Sequence, residues 1–196
     1  NTSFDMLALY HGLQLQLMIY LDGALKVEQR KYPEREIVPA GIFYYNVKDP
    51  MLQKEMEDDL DGLDPEIFKK LKMNGLVMAD RDVIEGLDKT TISLPLSYTT
   101  KGELRKGSSV ADEQGFALLG AYVKKKITDI REAILDGNAE VSPYEMGNRN
   151  ACTYCPYQGT CGFDRKIPGY EFRRLKQFAD DEIWKAFAKE VDVEWE

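Results

Sequence analysis

Asn150-Ala151-Cys152-Thr153-Tyr154-Cys155-Pro156-Tyr157-Gln158-Gly159-Thr160-Cys161-Gly162-Phe163-Asp164 holds all three cysteines of a 196-residue chain. Two residues between Cys152 and Cys155 let both sulfurs face one ion. Pro156 and Gly159 then turn the backbone so that Cys161 can join them. Three readings fit the pattern. Buried free thiols are one, since cysteine is among the most buried residue types. A zinc site is another; it needs a further nitrogen or oxygen ligand, and His11, the single histidine, lies far off in sequence on an apolar stretch. The third is an iron–sulfur cluster, which takes four thiolates, so that one would come from outside the chain.

Working outward, an odd cysteine count in one tight group does not suggest a disulfide framework; it suggests a reducing compartment, and the expectation is a cytoplasmic protein. The composition, 43% hydrophobic and 31% charged, is that of a globular domain with its own core. No apolar run is long enough to span a bilayer, and the opening residues have neither the basic start nor the apolar stretch of a secretory signal. The first residue is not Met, and a short polar segment leads straight into a helix, so a piece of a longer polypeptide is expected. The net charge of −8 argues against a free-standing grip on nucleic acid. The basic stretches at Lys101–Lys106, Lys124-Lys125-Lys126 and Arg173-Arg174-Lys176 read as solvated faces, offset by the acidic run from Glu55 to Asp64.

Apolar periodicity predicts a long helix from Asp5 to about Lys26, capped by Ser3 or Asp5, with Met6, Tyr10, Leu13, Leu17, Tyr20 or Leu21, and Ala24 on one stripe. The β-branched and aromatic residues of Glu34–Asp49 predict a buried strand closed by Lys48-Asp49-Pro50. Met51–Asp64 reads as an acidic surface excursion, and Pro65 starts a short helix ending near Asn74-Gly75. Leu76–Leu87 reads as another short helix, and Thr90–Tyr98 as a short strand or extended segment interrupted by Pro95. A second long helix runs from Asp112 to Leu135 on the stripe Phe116, Leu119, Tyr122 or Val123, Ile127, Ile130 and Ile134, stopped by Asp136-Gly137-Asn138. A last helix follows Asp180, with Ile183, Trp184 and Phe187 on one face.

The cysteine stretch resembles the C-terminal motif of the RecB-type iron–sulfur nucleases. Other matches keep the family's order. Gln16 and Tyr20 resemble its Q-x3-Y helix motif, residues 39–50 its following strand, and Asp136-Gly137 with Ser142-Pro143-Tyr144 the approach to the cysteines. The resemblance implies an α/β fold: a restriction-endonuclease-like PD-(D/E)XK core, helix-rich and without its first strands. Residues 1–196 would be the C-terminal part of that nuclease domain, with the cysteine loop at 150–164 and a helical tail at 165–196. It also implies a four-iron four-sulfur cluster on Cys152, Cys155, Cys161 and one upstream cysteine, stapling the end of the domain to its beginning.

The chemistry implied is Mg²⁺-dependent hydrolysis of DNA phosphodiesters, in a helicase–nuclease subunit that works with an A subunit in double-strand-break repair and recombination. In the family, an Asp…Asp/Glu-x-Lys set precedes the Q-x3-Y helix. Neither Glu103-x-Arg105 nor Asp22–Lys26 has that spacing or place. Gln16 and Tyr20, one turn apart on a shared face, would then support a site whose carboxylates and lysine lie elsewhere. The chain alone is expected to be catalytically silent, to hold iron poorly and to be open to self-association through an unpaired strand edge. Two other classes remain: a non-enzymatic module stapled by zinc or a cluster, and a stand-alone CRISPR-associated iron–sulfur exonuclease, against which the long stretch from Met51 to Glu140 argues.

Overall fold

The computed structural model describes residues 3–45 and 71–195. The expected excursion at Met51–Asp64, the helix start at Pro65 and the end of the strand at 46–49 lie outside them. The described elements, in order, are α1 (Met6–Tyr10), α2 (Gln16–Lys31), β1 (Gly41–Tyr44), β2 (Asn74–Met78), α3 (Arg81–Leu87) and β3 (Val110–Ala111). Then follow α4 (Glu113–Leu135), β4 (Tyr144–Met146), β5 (Arg149–Asn150), α5 (Gln158–Cys161), β6 (Arg173–Arg174) and α6 (Asp180–Glu190).

The expected first helix is two helices. Gly12 adopts φ +78°, and its N–H and that of Leu13 donate to the Leu9 and Ala8 carbonyls at 3.0 and 2.8 Å. That doubly bonded stop needs a left-handed residue, which glycine adopts without penalty. Asp5 caps α1, its carboxylate accepting from the Leu7 and Ala8 N–H groups. Gln14 ties the break back to the chain start by donating to the Ser3 carbonyl and accepting from the Asp5 N–H.

β1, β2 and β3 form a mixed sheet in that order, antiparallel then parallel. Here the structure corrects the helix expected at Leu76–Leu87: its first residues are β2, and only Arg81–Leu87 is helical. Leu76 and Met78 pack into the main core and Val77 into a second cluster with Ile84, Leu94 and Leu96. A strand covered on both faces shows an unbroken apolar run, which periodicity alone does not separate from a helix. Gly75, expected to end a helix, lies inside β2, where a Cβ would overlap the Ile42 carbonyl oxygen of β1. The 90–98 segment forms no ladder strand; Tyr98 makes one bridge to Leu104, and Leu94 and Leu96 are buried over the second face of the sheet.

On the first face, α4 supplies Phe116, Leu119, Tyr122 and Val123, α2 supplies Met18, α1 supplies Leu9, and α6 supplies Ile183 and Phe187. The Tyr10 ring stacks on Tyr122 at 5.6 Å and meets Phe187 edge-on at 5.4 Å. The distal half of the α4 stripe is not core: Ile127, Ile130 and Ile134 are exposed. A second small sheet, ordered β5-β4-β6, carries the cysteine segment and rests on α1 through a cluster of Ala8, Met146 and Leu175. Helices lie against mixed sheets, as an α/β fold requires. No described helix is long and apolar enough to cross a membrane.

Candidate functional site

The sequence points to two sets of residues, and the fold puts each in a defined place. Gln16 is the first residue of α2 and Tyr20 lies one turn on, both exposed. The Gln16 side-chain amide donates to the Tyr20 hydroxyl at 2.8 Å, so the i, i+4 spacing becomes a direct contact. The hydroxyl keeps its own proton to donate outward. Beside the pair, Ile19 and Met18 line a groove of about 470 Å³ between α2 and α4, with Leu25, Phe116 and Ile127 among its walls. Asp22 bridges the helices, bonding Lys26 at 2.5 Å and Lys124 at 3.3 Å, and these cations hold its carboxyl below the usual range, Lys26 foremost. A carboxylate so engaged is a surface ion-pair partner.

The cysteine loop is built from short-range hydrogen bonds. Asn150 Oδ1 accepts from the Cys152 N–H and the Thr153 hydroxyl, both at 3.0 Å. The Cys155 N–H donates to the Cys152 carbonyl, the Gln158 amide donates to that same carbonyl, and the Cys161 N–H donates to Tyr157 O at 2.9 Å. α5 ends on Gly162 at φ +71°. Cys152 and Cys155 are half-buried and Cys161 is exposed, all three as free thiols. Burial first, and then the neighbouring thiols of Cys155 and Cys161, raise the Cys152 pKa. Among the described residues, however, no three His, Cys, Asp or Glu side chains converge as a metal ion requires.

In kind, three soft donors in one loop suit a soft metal or an iron–sulfur cluster; in number they leave it incomplete. His11 does not supply the missing ligand: its Nε2 lies 2.8 Å from the Lys176 carbonyl oxygen, tying α1 to the segment that follows the loop. From Gly147 to Arg174 no side chain is fully buried. This lobe has no apolar core of its own and touches the rest through Met146, Leu175 and an ion pair between Arg149 and Asp5 at 3.0 Å. Sequence reasoning missed that arrangement, because strands of two or three residues carry no periodic signal.

The chain matches the family described as the PD-(D/E)XK nuclease superfamily over residues 1–162. It is also similar to proteins named as the B subunit of an ATP-dependent helicase/deoxyribonuclease. The one from Lachnoclostridium phytofermentans is 40% identical over 97% of this chain and 17% of that protein. The one from Clostridium novyi is 36% identical over 100% of this chain and 18% of that protein. The one from Bacillus velezensis is 35% identical over 98% of this chain and 17% of that protein. The chain therefore spans less than a fifth of the length of these relatives.

Proposed function

The chain belongs to the PD-(D/E)XK nuclease superfamily, and on that premise we propose that it forms the C-terminal part of the nuclease domain in the B subunit of a bacterial ATP-dependent helicase–nuclease. That enzyme would be cytoplasmic, pair with an A subunit, and degrade DNA during double-strand-break repair and recombination. The observation that carries this reading is similarity to helicase/deoxyribonuclease B subunits along the whole chain, cysteine loop included.

In this reading Gln16 orients Tyr20, and the Tyr20 hydroxyl donates to a phosphate oxygen of the bound strand. A neutral donor held by a second side chain positions phosphate at little entropic cost. Mg²⁺, when bound, supplies the charge that steadies the leaving oxygen, and its carboxylate ligands come from elsewhere in the subunit. Cys152, Cys155 and Cys161, with one further thiolate from elsewhere in the subunit, would hold a four-iron four-sulfur cluster. It would cross-link a lobe that apolar burial leaves unsupported.

The test is degradation of linear DNA with Mg²⁺. The purified chain alone should not cut, and the complete subunit with its partner should. In the complete enzyme, Tyr20→Phe should slow cutting by about tenfold to a hundredfold with little change in DNA affinity. Metal-dependent cutting by the chain alone overturns the assignment of the metal ligands to the rest of the subunit.

A further inference from the structure

The segment 163–176 runs against the charge of the chain. It carries Arg165, Lys166, Arg173, Arg174 and Lys176 against only Asp164 and Glu171, in a protein of net charge −8. It is also aromatic. Phe163 packs on Tyr170 and Phe172 with ring centroids at 5.7 and 5.0 Å, and the Arg165 guanidinium lies 5.5 Å from the Phe172 centroid. Among them lies an open cavity of about 500 Å³ whose walls are Glu145, Arg165, Tyr170, Glu171, Phe172 and Arg174. None of this is used by the Gln16–Tyr20 pair or by the cysteines.

We infer that this cavity binds one nucleotide of a single DNA strand, with its base against Tyr170 and Phe172 and its phosphate between Arg165 and Arg174. The inference rests on the nuclease reading above for the identity of the polymer as DNA. Arginine with aromatic faces is the pairing that holds unstacked bases and their phosphates. The cavity is too small to admit a duplex, and a duplex keeps its base faces covered. Arg174 is free to exchange partners: its side chain is 85% exposed and its nearest carboxylate oxygen, on Glu145, is 3.6 Å away. That is longer than a tight charge-assisted bond. The Glu171 carboxylate would accept from the exocyclic amine of a base, which adenine offers.

The experiment uses the complete protein that carries this chain, without Mg²⁺, and follows the fluorescence anisotropy of labelled oligo(dA) and of a labelled blunt duplex. Tyr170→Ala should weaken oligo(dA) binding about tenfold. The double change Arg165→Gln, Arg174→Gln should weaken it at least as much and lower the salt slope by about one. Glu145→Gln, which removes the carboxylate charge that competes with phosphate for Arg174, should tighten it. Duplex binding should move less in every variant. A fold lost in the arginine double variant shows in its melting, and the tightening by Glu145→Gln then carries the decision. Unchanged oligo(dA) affinity in Tyr170→Ala and Glu145→Gln, with melting preserved, overturns the site. Equal losses for duplex and oligo(dA) overturn its single-strand character. Mg²⁺-dependent degradation of linear DNA by the unsubstituted protein, measured separately, reports on the nuclease reading alone.

Discussion

Tyr122 and Tyr154 stand in the same chain under opposite conditions: Tyr122 is 1% exposed and Tyr154 is 96% exposed. Tyr122 sits where α1, α4 and α6 meet, stacked on Tyr10, edge-on to Phe187, its hydroxyl donating to the Tyr10 carbonyl. Tyr154 sits in a loop held by Asn150 and Gln158 hydrogen bonds. The first region is held by apolar burial, which needs many residues and tolerates no missing one. The second is held by local polar contacts, and its aromatic and basic side chains stay available. The difference teaches that one chain can keep its stability and its surface chemistry in separate lobes, joined by a narrow contact at α1.

That separation can be broken most forcefully in the core. Phe187→Ala, measured by denaturant unfolding, should cost about 3–5 kcal/mol, because Phe187 is fully enclosed and packs on Tyr10 of α1 and Tyr122 of α4. Tyr122→Phe should cost about 1 kcal/mol for the lost hydrogen bond. It should also change the alkaline limb. Burial raises the Tyr122 phenol well above its ordinary value of 10.0, so the folded chain keeps the proton after the unfolded chain has released it. Its contribution is complete below about pH 10 and is lost as pH rises further. Stability measured against pH should therefore fall less steeply above about pH 10 in Tyr122→Phe than in the parent.

Smaller changes sharpen the boundary between the lobes. Asp5→Ala removes the α1 cap and the Arg149 partner together and should cost about 1 kcal/mol. Arg149→Ala should cost only a few tenths, as exposed pairs do. A double-mutant cycle then assigns the remainder to the cap. Cys152→Ser should leave the melting of the core within about 0.5 kcal/mol. In the complete subunit it should remove bound iron and speed amide exchange through β4 and β5. Global unfolding on that change would mean that the lobes are not separate.

How far these features could be read beforehand follows from the signal each leaves. α4 and α6 were legible because their apolar stripes recur at helical spacing and Asp112 caps the first of them through the Gly115 N–H. The cysteine loop was legible from residue type alone, and the Gln16–Tyr20 contact from its one-turn spacing. β2 was not, because burial on both faces erases alternation, and only the lack of room at Gly75 marks it as a strand in retrospect. The break at Gly12 left one clue, the glycine, inside a stripe that continues across it. The small sheet left none, and the cavity at Arg165 and Arg174 left only the basic stretch Arg173-Arg174-Lys176, which reads as a solvated face.

The Tyr10 hydroxyl donates to Glu190 at 3.2 Å, across nearly the full span of the chain. A polypeptide leaving the ribosome therefore exposes Tyr10 long before the helix that covers it has been translated. A stop codon anywhere ahead of Asp180 would remove α6 and strand Tyr10 and Tyr122 in water. A nonsense mutation there should therefore disrupt the core described above even though most of its residues are still made.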